Sequence, residues 1–149
     1  MSAHTPTVLI VEDNPTDVML IQRAFLKANI GNPLQIVRDG DAAVQYLAGE
    51  GAFADRAEYP LPAVMLLDLK LPRRSGLEVL QWVRARTPLR RLPVVVLTSS
   101  NQSQEVNRAY DLGANSYLVK PVEFDDLKEM LGTVNVYWLG LNRKPSFTM

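Results

Sequence analysis

Four short apolar runs stand out along the chain: Val8-Leu9-Ile10-Val11, Val64-Met65-Leu66-Leu67, Val94-Val95-Val96-Leu97 and Tyr117-Leu118-Val119. A weaker one is Leu34-Gln35-Ile36-Val37. Continuous apolar runs of this length read as strands buried on both faces, the mark of a parallel sheet. A buried helix segment is the competing reading, and the β-branched content with flanking proline and polar residues decides for strand.

Helical spacing fills the gaps. Val18, Ile21, Phe25 and Ala28 share one helix face, and Asn14-Pro15-Thr16 is a start signal. Ala42, Ala43, Tyr46 and Leu47 predict a second helix. Leu77, Leu80, Val83 and Arg84 predict a third, entered from Ser75-Gly76 and ended before Pro88. Val106, Ala109, Tyr110 and Leu112 predict a fourth, stopped by Gly113, and Phe124, Leu127, Leu131 and Val134 a fifth. Strand and helix thus alternate through the chain. Right-handed crossovers turn that order into an α/β fold, a doubly wound five-stranded parallel sheet with helices on both faces. One connection is long: residues 49–62 separate the second helix from the third strand, a length that fits a partner contact as well as a tolerated insertion.

Composition narrows the classes. The 149 residues suggest one domain, 1–149, large enough to bury a core without a staple. There is no cysteine, which excludes disulfides and thiolate zinc sites. Lys+Arg and Asp+Glu balance at 16 each, so no global basic field draws the chain to nucleic acid or anionic lipid. No apolar run reaches the length of a membrane span. Met1 to Thr7 lacks the apolar stretch of a signal peptide, and a cytoplasmic location is the expectation.

The chemistry sits just after the strands. The first ends in Glu12-Asp13, the third in Asp68, the fourth in Thr98-Ser99-Ser100 and the fifth in Lys120-Pro121. In an open parallel sheet these carboxyl ends share the edge where ligands bind. Three carboxylates against one ammonium leave an excess of negative charge that a divalent ion would balance, and oxygen donors without His or Cys suit Mg²⁺. A carboxylate beside Mg²⁺, a lysine and a threonine hydroxyl has the parts for phosphoryl transfer to an aspartate. Each residue also has an ordinary reading: Asp13 or Thr98 as a helix N-cap, Lys120 as a solvated loop residue. Their joint placement after four buried strands favours the site.

The set Val11-Glu12-Asp13-Asn14, Leu67-Asp68-Leu69-Lys70-Leu71-Pro72 with Gly76, Leu97-Thr98-Ser99 and Tyr117-Leu118-Val119-Lys120-Pro121 resembles the receiver domain of two-component response regulators, over about residues 7 to 132. The resemblance implies a flavodoxin-like fold with strand order 2-1-3-4-5 and a signalling phosphoacceptor, not an enzyme. It implies that Asp68 takes phosphate from a sensor histidine kinase. Asp13 is then the acidic Mg²⁺ ligand, Glu12 its neighbour acting through water, and Asp68 and the backbone carbonyl of Lys70 complete the metal site. Thr98 and Lys120 bind the phosphoryl group. Tyr117 is the aromatic switch that turns inward when Thr98 moves toward the phosphate, though a half-buried strand tyrosine needs no such role. The Lys120–Pro121 bond is expected to be cis.

The resemblance ends near Gly132, and the C-terminal extension, about 133–149, leaves no room for an output domain. Output is therefore expected through protein contact. The long loop and the tail Val136-Tyr137-Trp138-Leu139 are similar to single-domain regulators that partner bacterial and cyanobacterial phytochromes. Helical spacing continues to Trp138 and Leu141, which predicts a helix from Glu123 to Asn142. A two-fold homodimer through the fourth helix, fifth strand, fifth helix and tail, with Tyr137, Trp138 and Leu139 in the interface, would cover it. The alternative is that Gly132 or Gly140 breaks the helix and the tail folds back on its own domain. Among other functions, a haloacid-dehalogenase-type phosphatase would want an aspartate where Lys70 stands. A flavodoxin would want a phosphate loop where Glu12-Asp13 stands. A phosphate-independent receiver-like adaptor remains an alternative.

Overall fold

A computed structural model describes residues 5–147; residues 1–4 and 148–149, the ends of the expected 1–149 domain, lie outside the described residues. Strands β1 (Val8–Val11), β2 (Leu34–Val37), β3 (Val64–Leu67), β4 (Val94–Thr98) and β5 (Ser116–Val119) form one parallel sheet. Its order is β2-β1-β3-β4-β5. Alternate side chains serve two cores. Leu9, Val11, Met65, Leu67 and Val96 pack under α2 (Gly40–Ala48), α3 (Gly76–Ala85) and α4 (Ser103–Asp111). Val8, Ile10, Leu66 and Leu97 pack under α1 (Pro15–Lys27) and α5 (Phe124–Val134). The doubly wound architecture and strand order are those expected.

β1, β3 and β4 are buried along their whole length, as their unbroken apolar runs require. β5 is not: it pairs only with β4, its residues are half-buried and Val119 is exposed. An edge strand has one neighbour, so both faces are only partly covered: Tyr117 packs toward one core and Leu118 toward the other.

Local signals place the helix starts at the sheet's carboxyl edge. Asn14, not Asp13, caps α1: its side chain accepts from the backbone N–H groups of Thr16 and Asp17, with Pro15 at the first helical position. Ser75 and Glu78 form a capping box at α3. α4 begins after Gln102, so Thr98 is a strand residue and no cap. Gly76 is required by close approach: a Cβ there would lie 2.2 Å from the Asp68 carbonyl oxygen.

The Lys120–Pro121 bond is trans, against the expectation of cis; no described peptide bond is cis. Trans is the lower-energy form of an X–Pro bond by about 0.5–1 kcal/mol. From it the Lys120 side chain already reaches three carboxylates.

The 49–62 connection is an ordered lobe at the opposite, amino edge of the sheet. It contains a 3₁₀ turn, Gly51–Phe53, and its Phe53 and Tyr59 stack around Tyr46 of α2 at centroid distances of 5.2 and 6.0 Å. Arg56 donates to the carbonyls of Tyr46, Leu47 and Tyr59 at 2.7, 2.7 and 2.9 Å. It thereby satisfies the last turn of α2.

Beyond α5 the chain continues as a π-helical segment, Asn135–Leu141, so neither Gly132 nor Gly140 breaks the helical path. Trp138 and Leu139 pack against the core under α5, while Tyr137 and Leu141 are exposed. The last described residues then return to the domain: Arg91 donates to the Ser146 carbonyl and Phe147 packs on the opposite core. The extended helix and the folded-back tail, posed as alternatives, coexist in successive segments.

Candidate functional site

Glu12, Asp13, Asp68, Lys70, Thr98 and Lys120 line one cavity of 240 Å³ at the carboxyl edge, together with Asn14, Asp17 and Ser99. Four elements deliver them. Glu12 and Asp68 directly follow β1 and β3, β4 ends in Thr98, and the turn after β5 supplies Lys120. Asp17 comes from the first turn of α1.

The centre is a buried charge network. The Lys120 ammonium donates to Glu12 Oε1 at 2.5 Å, to Asp17 Oδ2 at 3.0 Å and to Asp68 Oδ2 at 3.0 Å. The Thr98 hydroxyl donates to Asp68 Oδ1 at 2.8 Å. The backbone N–H of Asn14 donates to the other Glu12 oxygen at 3.1 Å. Glu12 is 2 % exposed and Asp68 8 %, whereas the Asp13 side chain is open to solvent.

Burial alone would raise the Asp68 pKa. The Lys120 charge and the hydrogen bonds from Thr98 and Lys120 outweigh it and hold the carboxyl below the usual aspartate range. For Glu12 the balance reverses: burial dominates over its bonds from Lys120 and Asn14, and the pKa lies above the usual range. Burial also opposes the Lys120 ammonium. Its bonds to Glu12 and Asp17, with the charge on Asp68, prevail and push its pKa up. The surroundings of Asp68 thus favour its carboxylate form, with an ammonium and a hydroxyl hydrogen-bonded to its two oxygens.

The donor set fits a hard cation. Four carboxylates, Glu12, Asp13, Asp17 and Asp68, line the cavity against the two lysines Lys70 and Lys120, so negative charge is in excess. Among the described residues no three carboxylate or imidazole side chains form a metal cage by themselves. Mg²⁺ does not need one: it keeps several waters and takes one or two carboxylates. Lys70 lines the cavity, and its backbone N–H lies 3.4 Å from Asp68 Oδ1.

Two groups of predicted residues lie elsewhere. Tyr117 is packed against the core under α4, and its hydroxyl donates to the Ser100 carbonyl at 2.9 Å. Tyr137 and Trp138 line a 470 Å³ groove between β5 and α5, over Leu118 and Met130. Leu139 is turned toward the core. Sequence reasoning missed Asp17. Its signal was present: it lies one helical turn after Asp13, where the first turn of α1 must return to the strand edge.

The response regulator receiver domain model matches residues 8–132. The chain belongs to the response regulator receiver domain family. This receiver is 43% identical over 138 residues to the probable methanogenesis regulatory protein FilR2 of Methanothrix harundinacea, covering 93% of this chain and 86% of that one. It is 38% identical over 132 residues to response regulator Rcp1 of Synechocystis sp., covering 89% and 88%. Among solved structures, the phosphorylated cyanobacterial phytochrome response regulator RcpA matches the receiver with a TM-score of 0.88 and 35% identity, over 97% of this chain and 100% of that one. The Mn²⁺-bound form of Rcp1 matches with a TM-score of 0.84 and 36% identity, over 95% and 99%. Phosphorylation and metal binding are thus recorded for relatives of this receiver.

Proposed function

We propose that this chain is a phosphorelay response regulator that accepts a phosphoryl group from a sensor histidine kinase on Asp68. The observation that carries the reading is the depressed, buried Asp68 carboxylate, held by Thr98 and Lys120 at the mouth of an acidic cavity. An Asp68 carboxylate oxygen forms the new P–O bond while the donor's P–N bond breaks and the imidazole nitrogen keeps the electron pair. Lys120 and Thr98 supply hydrogen bonds to the phosphoryl oxygens. Asp13, Asp68 and the Lys70 carbonyl are the residues that would hold Mg²⁺, with Glu12 acting through water. When bound, that ion neutralises charge on the transferring group.

Tyr117 supports a conformational output. Thr98 is drawn onto Asp68 while Tyr117 is tucked inward on the Ser100 carbonyl, the paired arrangement a Thr98–Tyr117 switch requires. The output is protein contact in the cytoplasm rather than chemistry on a substrate. A two-fold homodimer through α4, β5, α5 and the tail would cover the groove at Tyr137 and Trp138. The phytochrome relatives support a phytochrome-type kinase as phosphodonor.

The test is phosphotransfer from a purified phytochrome kinase in Mg²⁺, read by loss of label from the kinase and gain on the regulator. Transfer to the wild type and none to Asp68→Asn supports the reading. Equal transfer to both overturns it. Sedimentation of the full chain and of a form truncated after Gly132 reads the dimer: a monomeric full-length protein, phosphorylated or not, refutes that interface.

A further inference from the structure

The three donors of an ammonium set a limit that the Lys120 site has already reached. A lysine has three N–H groups and no acceptor. Here all three are engaged, on Glu12, Asp17 and Asp68. A phosphoryl group on Asp68 brings more acceptor oxygens and more negative charge to the same ammonium. A second lysine–phosphoryl bond therefore requires one of the other two carboxylates to let go.

The two differ sharply in what release costs. The Glu12 side chain is 3% exposed, and release would leave its Oε1 buried where water has little access to replace the ammonium. The Asp17 side chain is 32% exposed, on the first turn of α1, and water can take over its bond. Asp17 is the partner that yields.

We propose that Asp17 is a positioning residue that competes with the phosphoryl group for Lys120 and so biases this receiver toward its unphosphorylated state. The inference rests on Asp68 as phosphoacceptor and goes beyond it by assigning a role to a residue outside the expected acceptor, metal and switch set. Asp17 holds the ammonium toward α1 when Asp68 is free. When Asp68 is loaded, Asp17 becomes a solvated carboxylate. Removing its charge also removes a like charge facing the anionic group.

The experiment uses beryllofluoride, a tetrahedral anion that mimics a phosphoryl group on a carboxylate, at saturating Mg²⁺. Asp17→Asn is expected to bind it about two- to fivefold more tightly than the wild type, the range of one partly exposed ion pair. Asp17→Glu is expected to restore the wild-type affinity. In the wild type, carboxyl ¹³C NMR should show the Asp17 signal moving to a solvated position on ligand addition while the Glu12 signal keeps its paired character. A residue that merely supports the helix would give neither the gain nor the selective shift. Unchanged or weaker binding by Asp17→Asn, with an unaltered thermal midpoint, overturns the proposal. So does a Glu12 signal that moves in place of Asp17. Failure of the wild type to bind beryllofluoride at all would instead refute Asp68 as phosphoacceptor, and this inference with it.

Discussion

Replacing Arg56 with alanine separates the stability of the fold from the chemistry of the site. The guanidinium donates three hydrogen bonds, two to carbonyls of the last turn of α2 and one to Tyr59. It also lies 5.9 Å from the Tyr46 ring centroid. A hydrogen bond to a charged group contributes about 1.5–3 kcal/mol. The three share one partly exposed side chain, and water recovers some of the loss, so the expected destabilisation is about 3 kcal/mol rather than the sum. For a domain of this size that corresponds to a fall in thermal midpoint of about 10 °C. Arg56→Lys should recover only part of it, since a point charge cannot bridge three carbonyls as a planar fork does. The assay is thermal unfolding followed by circular dichroism, with phosphoryl uptake measured in parallel at a temperature where both proteins are folded. Because the lobe sits at the amino edge and Asp68 at the carboxyl edge, uptake should be unaltered. A midpoint within about 2 °C of wild type, less than one kcal/mol of effect, would refute the reasoning that the lobe is held by Arg56.

Three further outcomes follow from the same geometry. Burial pushes the Tyr46 hydroxyl up to about 12. The folded chain therefore keeps a proton that the unfolded chain loses above about pH 10, and stability should fall as pH rises from about 10 to about 12; urea unfolding should show this slope in wild type and lose that component in Tyr46→Phe. Gly76→Ala would set a Cβ 2.2 Å from the Asp68 carbonyl oxygen and 2.6 Å from the Leu69 Cα. It should lower the thermal midpoint by at least several degrees and slow phosphoryl uptake, because the backbone that must give way carries the acceptor. Chelation of Mg²⁺ should stop phosphoryl uptake without unfolding the protein, since two apolar cores carry the fold; undiminished uptake in excess chelator would rule the metal out.

The strands were legible because burial on both faces writes itself as an unbroken apolar run: Val8–Val11 and Val64–Leu67 are the observed boundaries. The site was legible because parallel topology brings every strand's carboxyl end to one edge, so residues scattered from Glu12 to Lys120 converge without any local motif. Arg56 left no trace, because its partners are backbone carbonyls, which every residue carries. Arg84 escaped for the same reason: it ties α3 to the carbonyls of Leu92 and Gly113 and to Asn115. The π-helical segment escaped because spacings of three and four do not separate it from an α-helix over two turns. The resemblance misled at Lys120–Pro121, where the bond is trans.

The most direct test of the central claim is intact-mass spectrometry after incubation with acetyl phosphate and Mg²⁺, with the modified peptide sequenced. A single added phosphoryl group on Asp68, absent from Asp68→Asn and strongly reduced in Lys120→Met, is the predicted result. A phosphoryl group on any other residue, or equal uptake by Asp68→Asn, would contradict the account.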